Sequence, residues 1–145
     1  MPPVTRRALS QAIAQLMPNI IRGVQLDVFV KKGVTQTQFL MLASIHAYRR
    51  CPMGVLARSL HVRMPTATGI VDRLARAGFV RRLPHPTDRR QVVVELTAKG
   101  QAFIHQFQAV VRRRWDEVLR TLEPRDIEAV YRAITKLSQQ LQPPR

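Results

Sequence analysis

The spacing of apolar residues changes once along this chain, and the change limits the folds open to it. Before Gly78, apolar residues recur every three or four positions, as they do on amphipathic helices. After Gly78 the pattern becomes strand-like, and the turn sequence at 84–88 separates two short runs. We therefore predict strands over 79–83 and 91–96 that pair as a β-hairpin.

Four helices are predicted before the hairpin, and most have recognisable end signals. Gly33 can adopt the left-handed conformation that ends the first helix. Thr35 and Gln38 match a capping box that begins the second, and Pro52 disfavours helix at the residue before it. Gly78 ends the fourth helix in the same way as Gly33 ends the first. The predicted bounds are 5–32, about 35–50, 53–60 and 65–77.

Two further helices are predicted after the hairpin. Thr97 can cap a helix that reaches about Leu122, and Pro124 suits the first position of a helix that reaches about Leu141. The predicted fold is mainly α with a small β-hairpin wing. A short helix, a tight turn, a second helix and a basic hairpin follow one another in the winged helix-turn-helix order.

Positive charge is concentrated between Arg49 and Arg90. This stretch holds ten arginines, two aspartates and no lysine, within a chain of net charge +15. The planar guanidinium group suits bidentate contacts with phosphate and guanine, so the pattern favours a nucleic-acid partner. Total charge alone is also compatible with an anionic membrane or an acidic protein as the binding partner.

Two motifs resemble the MarR family of transcriptional regulators. The segment ATGIVDRLARAGFVRR (67–82) is similar to the family's recognition helix and first wing strand. The segment DRRQVVVELTAKG (88–100) is similar to its wing and the start of the next helix. The resemblance implies one MarR-like domain over 1–145, with a winged helix-turn-helix DNA-binding lobe at 35–96 and dimerisation helices at 5–32 and 97–142.

The resemblance implies a function as well. It implies a repressor that binds a pseudo-palindromic operator in double-stranded DNA as a homodimer and is released by a small-molecule ligand. We expect no enzyme activity, cofactor or metal, because no catalytic motif or metal-ligand spacing is found. The absence of a signal peptide predicts a cytoplasmic protein without membrane contact. Two alternatives stay open: a sequence-neutral architectural DNA- or RNA-binding protein, and a protein-interaction module.

The fourth helix carries the predicted major-groove residues. We expect Thr66, Thr68 and Arg73 near base edges or adjacent phosphates, and Arg76 on the backbone. Two positions depart from the family pattern: Met64 stands at the expected cap without a side-chain acceptor, and Gly69 replaces a larger, often basic residue. Solvated side chains are the alternative. The predicted set is Pro65, Thr66, Thr68, Gly69, Arg73 and Arg76.

The tip of the hairpin carries the predicted minor-groove contact. The resemblance implies that Arg90, or Arg89 beside it, enters the groove, where the negative potential of A·T-rich DNA attracts a guanidinium group. It also implies that Asp88 fixes the loop through a salt bridge or a backbone bond. An ordinary charged turn is the alternative.

Because some MarR family members sense aromatic or otherwise amphipathic acids, the resemblance implies a pocket for such a ligand in this chain. The alternative is that the candidate residues only pack within the fold. The candidates are His46, Tyr48, Arg49 and Trp115. Cys51 is either an ordinary thiol or one whose pKa is lowered by the neighbouring arginines.

Apolar stripes on the terminal helices predict a dimer surface, with a bundle within one chain as the alternative. In the first helix the stripe comprises Leu9, Ile13, Leu16, Ile20 and Val24. In the helix after Thr97 it comprises Phe103, Phe107, Val110, Val111, Trp115 and Leu119. In the last helix it comprises Ile127, Val130, Ile134, Leu137 and Leu141.

Overall fold

The computed structural model describes residues 4–140, except for the side chains of residue 21 and residues 23–31. Within these bounds, none of the helices is long and apolar enough to cross a bilayer. In chain order the elements are α1 (Arg6–Lys32), α2 (Gln36–Tyr48), β1 (Arg50–Pro52), α3 (Met53–Ser59), α4 (Met64–Arg76), β2 (Val80–Pro84), β3 (Val92–Leu96), α5 (Ala98–Leu119) and α6 (Pro124–Gln140). These bounds confirm the predicted fold class.

Helix α1 belongs to the first of two compact units, which covers Met1–Gln36. The Thr5 hydroxyl accepts a hydrogen bond from the Ala8 amide at 3.2 Å, which caps the start of the helix. Gly33 has φ +63°, so the predicted left-handed end of α1 is confirmed. Along its predicted stripe, Leu9 and Leu16 are about half exposed, at 53% and 50%. Val24, from the same stripe, lies outside the described side chains.

The second unit, Thr37–Arg145, contains a three-stranded antiparallel sheet in the order β1-β3-β2. The prediction of a two-stranded hairpin was therefore incomplete, because β1 pairs with β3 along its other edge. Three residues are too few to show an alternating pattern, and Pro52 marks a helix boundary in the sequence. Proline is compatible with a strand at the edge of a sheet, which is where Pro52 lies.

The core of the second unit is built from α2, α3, α4 and the sheet. Phe103 of α5 packs edge-on against Phe79, with ring centroids 5.5 Å apart. Phe39 of α2 lies 6.5 Å from the same Phe103 ring. The predicted inward stripe of α4 is confirmed, since Ala67, Ile70, Val71 and Leu74 are all buried.

The ends of α4 fix its direction. Its N-cap is Arg63 rather than Met64, one residue earlier than predicted, and it also lacks a side-chain cap. At the other end Gly78 has φ +80°, and the Phe79 amide donates to the Leu74 carbonyl at 2.9 Å. These features form a Schellman motif, so the predicted glycine end is confirmed.

Helix α5 begins as predicted, because the Thr97 hydroxyl accepts from the Gly100 amide. It ends at Leu119, before the predicted Leu122. A Cβ on Gly100 would lie 2.1 Å from the Phe79 carbonyl oxygen, so this close approach requires glycine. Helix α6 begins at Pro124 as predicted, while Leu141 lies outside the described residues.

Candidate nucleic-acid interface

Because the apolar side of α4 is buried, its polar side faces outward. Pro65, Thr66, Arg73 and Arg76 are exposed, whereas Thr68 and Gly69 are half-buried. The Arg73 Nε donates to the Gly69 carbonyl at 3.2 Å, so this guanidinium group lies along the helix surface. The structure thus brings all six predicted residues onto α4, and four of them are exposed.

Arg82 of β2 holds α4 against the wing, a role that sequence reasoning missed. Its guanidinium group forms an ion pair with Asp72 and donates to the Thr68 carbonyl at 3.4 Å. Asp72 is the single acidic residue of α4. Its pairing reduces the negative charge that this helix would present to a phosphate backbone.

The wing tip is held by Asp88. Its Oδ1 accepts from the Arg90 amide and its Oδ2 accepts from the Gln91 side chain, each at 3.0 Å. Of the two predicted ways to fix the loop, the backbone bond is the one observed. The His85 Nδ1 also accepts from the Asp88 amide at 3.3 Å, a contact the sequence did not indicate. Arg89 and Arg90 are both exposed.

The four arginines predicted to contact DNA differ from three arginines of the sheet. Among residues 4–140, with the side-chain gaps noted, none of the four reaches an acidic side chain. Arg50, Arg81 and Arg82, by contrast, all form ion pairs. Arg73, Arg76, Arg89 and Arg90 are therefore exposed guanidinium groups without an acidic partner among the described residues.

The opposite face of the sheet carries a second arginine arrangement. Arg50, Glu95 and Arg81 lie side by side in the register of β1, β3 and β2. The Arg50 Nε donates to Glu95 Oε2 at 3.0 Å, and Arg81 binds Glu95 Oε1. Hydrogen bonds from Arg81 and then Arg50 lower the pKa of Glu95, so its carboxylate stays charged.

This triad lines a cleft of about 580 Å³ beside the end of α2 and the start of α5. His46 and Arg49 of the predicted ligand set lie in it. Tyr48 and Trp115 are half-buried and are not among its lining residues. The lining comprises Ile45, His46, Arg49, Arg50, Arg81, Glu95, Leu96 and Gln101.

Cys51 faces the core and is fully buried. Burial raises the pKa of its thiol to about 11. The idea that neighbouring arginines lower this pKa is therefore wrong: consecutive residues of a strand point to opposite faces, and Arg50 points into the cleft.

Helix α6 has no buried residue, and its predicted stripe is open. Ile134 and Leu137 are 59% and 52% exposed. On α5 the burial falls along the helix, from Phe103 in the core to the exposed Val110. The predicted dimer stripe is thus accessible along α6, whereas on α5 it is accessible only in part.

Known proteins of similar sequence and structure exist. A family model described as "MarR family" matches residues 34–92. The transcriptional repressor YetL of Bacillus subtilis is 37% identical over 82 residues, which are 54% of this chain and 48% of YetL. The chain thus spans about half the length of this curated relative.

Solved structures match over nearly the whole chain. Wild-type MarR from E. coli, in its apo form, is 26% identical, with a TM-score of 0.68, and the match covers 93% of this chain and 98% of that one. A MarR family protein from Bacillus stearothermophilus has a TM-score of 0.79 at 22% identity, covering 97% and 100% of the two chains. At 22% identity, the similarity to the Bacillus stearothermophilus protein shows a shared fold.

Proposed function

We propose that this chain is a member of the MarR family and acts as a sequence-specific, double-stranded DNA-binding regulator of transcription. The observation that carries the proposal is the set of unpaired guanidinium groups on α4 and at the wing tip. Exposed guanidinium groups without acidic partners give this surface a positive potential that attracts a polyanion. Phosphate oxygens and guanine edges are the natural partners for these groups.

In this proposal α4 enters the major groove. Thr66, Thr68 and Arg73 reach base edges or adjacent phosphates, and Arg76 binds the backbone. Arg73 leaves the Gly69 carbonyl for the DNA, a change that costs one exposed hydrogen bond. Gly69 and Pro65 have no long side chain, so the start of the helix can approach the groove closely.

The wing acts in the adjacent minor groove. The Asp88 bond to the Arg90 amide fixes the loop from which both arginines project. Either Arg90 or Arg89 inserts, and the other remains near the phosphates. Readout there depends on groove width, since an A·T-rich minor groove has the stronger negative potential.

We further propose a symmetric homodimer that binds a pseudo-palindromic operator. The exposed apolar residues along α6, on the described part of α1, and at Val110 and Val118 of α5 support this, because exposed patches of that kind mark protein interfaces. Two-fold symmetry places the two recognition helices in successive major grooves, about 34 Å apart. A DNA-bound regulator of this kind acts in the cytoplasm, and blocking of transcription is the mode in which we expect it to act.

A selection of bound sequences from random duplex DNA tests the proposal. The expected result is one palindrome, bound at least about 1,000-fold more tightly than bulk duplex at physiological salt. A sequence-neutral architectural protein would bind all duplexes alike, and an RNA-binding protein would prefer RNA in competition. A protein-interaction module would show no salt-sensitive DNA binding. Any of these three outcomes would overturn the proposal.

We also propose that a small aromatic or otherwise amphipathic acid releases the operator. The cleft that contains His46 and Arg49 supports an acidic ligand. Release requires that the ligand bind the free protein more tightly than the DNA-bound protein, since equal affinity shifts nothing. Operator affinity measured across a panel of such acids tests this, and unchanged affinity throughout would refute it.

A further inference from the structure

The cleft behind the sheet is chemically distinct from the DNA-binding face. Arg81 and Arg82 are consecutive on β2, and consecutive side chains of a strand point to opposite faces. Arg82 reaches α4, whereas Arg81 reaches Glu95 in the cleft. The arginines of the cleft therefore face away from the recognition helix, and DNA bound by α4 does not account for them.

Charge in the cleft is not balanced. Three arginines and one glutamate line it, which leaves an excess of two positive charges. Arg50 uses Nε for Glu95, and within the described part of the chain its terminal nitrogens meet no acceptor. Glu95 is only 9% exposed and orients both neighbouring guanidinium groups, while the side chains of Arg50 and Arg81 stay 62% and 63% exposed. Arginines oriented in this way are suited to bidentate contacts with an anion.

Arg49 adds an independent indication. It has φ +63°, a left-handed conformation that glycine or asparagine usually supplies at the end of a helix. Its side chain lines the cleft and forms no ion pair among the described residues. An arginine here costs backbone energy that its side chain does not recover within the chain, so its use indicates a role in the cleft.

From these observations we infer that the cleft binds a phosphate monoester, held by Arg49, Arg50 and Arg81. A phosphate monoester carries close to two negative charges at neutral pH, which matches the excess in the cleft. A monocarboxylate would leave one positive charge unmatched. Ile45 and Leu96 provide a small apolar wall, and Gln101 and His46 provide further polar contacts for the organic part. The inference deepens the proposed function by naming the class of acid.

Three probes with the same phenyl body separate head-group chemistry from apolar contact. They are phenyl phosphate, benzoate and benzyl alcohol, titrated into the full chain without DNA at constant ionic strength. We expect saturable binding of phenyl phosphate, affinity for benzoate lower by about tenfold or more, and no binding of benzyl alcohol, since tenfold corresponds to loss of one charge-assisted contact. Equal or tighter binding of benzoate, or no binding of any probe, would overturn the inference.

Variants locate the site. Arg50→Gln and Arg81→Gln should each weaken phenyl phosphate binding by about tenfold, and circular dichroism will show whether the triad variants remain folded. Arg49→Asn keeps the left-handed backbone and leaves the triad intact, so it should weaken binding without destabilising the fold. Arg125→Gln, an exposed arginine of α6, is the control and should bind as wild type does. Unchanged binding in Arg49→Asn would place the phosphate elsewhere and refute the assignment.

The two proposals fail in different ways. If the protein selects a palindrome but binds no phenyl phosphate, the proposed function is supported and the phosphate site is refuted. If the protein binds phenyl phosphate through Arg49 but selects no DNA, the phosphate site is supported and the proposed function as a regulator is refuted.

Discussion

Helices α4 and α6 have similar amphipathic patterns but different surroundings. The apolar stripe of α4 is buried against the sheet and α3, with Leu74 only 1% exposed. The apolar stripe of α6 is open, with Ile134 59% exposed. Apolar spacing predicts that a helix will bury one face, but it does not say against what.

The difference assigns separate tasks to the two helices. Because α4 is fixed by its own unit, its polar face is presented to a ligand in a defined orientation. Because no residue of α6 is fully buried in the single chain, its apolar face requires a partner to gain the remaining free energy of burial. Each of the following predictions contrasts these two situations.

The largest effect is expected in the stripe of α4. Leu74→Ala should lower the free energy of unfolding by about 2–5 kcal/mol, because it leaves a cavity in a closed core. Leu137→Ala is the matched change on α6 and should alter unfolding by less than about 0.5 kcal/mol at concentrations where the chain is monomeric. Urea denaturation of both variants measures this. Equal losses would mean that α6 also packs within its own chain.

A charge on the stripe of α6 should separate subunits. Ile134→Asp should weaken dimerisation by about 2 kcal/mol, roughly 30-fold, because it places a carboxylate in a desolvated interface. Gln139→Asp adds the same charge on the opposite face of the helix and should leave the dimer intact. Analytical ultracentrifugation distinguishes the two. A wild-type monomer at micromolar concentration would end the dimer model.

Loss of one wing arginine should affect DNA binding alone. Arg90→Ala should weaken operator binding by about 1–3 kcal/mol, while folding and dimerisation persist because the side chain is exposed. Arg89→Ala identifies which neighbour points into the groove. If the lost contact is to phosphate, the salt slope falls by about one unit per subunit; if it reads groove width, preference for A·T-rich flanks relaxes. Wild-type affinity in both variants and in the double variant would exclude the wing as a contact.

The smallest effect is expected from the ion pair that positions α4. Asp72→Asn and Arg82→Gln should each weaken operator binding more than bulk-duplex binding, with a coupling of about 0.5–1.5 kcal/mol in the double-mutant cycle. The Glu128 and Arg132 pair of α6 is a matched control, and its removal should not change the ratio. Additive effects on operator binding would show that Arg82 does not act through Asp72.

Most helix and strand bounds were predictable because their signals are local. Gly33, Gly78 and Thr97 each mark an end through backbone geometry or a cap within four residues. Strand β1 was not predictable, because its pairing joins Arg50 to Glu95 across 45 positions. The ion pair of Asp72 with Arg82 and the arginine row of the sheet were missed for the same reason.

The residues of the candidate sites also differ in whether local sequence predicts them. Residues on one helix or one turn, such as Thr66 and Arg90, follow from spacing and family resemblance. Residues that meet through the fold do not, which is why Tyr48 and Trp115 lie outside the cleft while Arg50 and Arg81 lie inside it. The direction of Cys51 likewise depends on its place in β1.

The central claim is that two copies of α4 read successive major grooves on one face of a duplex. The most direct test compares the selected palindrome with a version in which five base pairs are inserted between the half-sites, about half a helical turn. The account predicts that the insertion lowers affinity at least about 100-fold, to the level of a single half-site, while ten inserted base pairs restore part of it. Equal affinity for the selected and five-base-pair-insertion duplexes would contradict it.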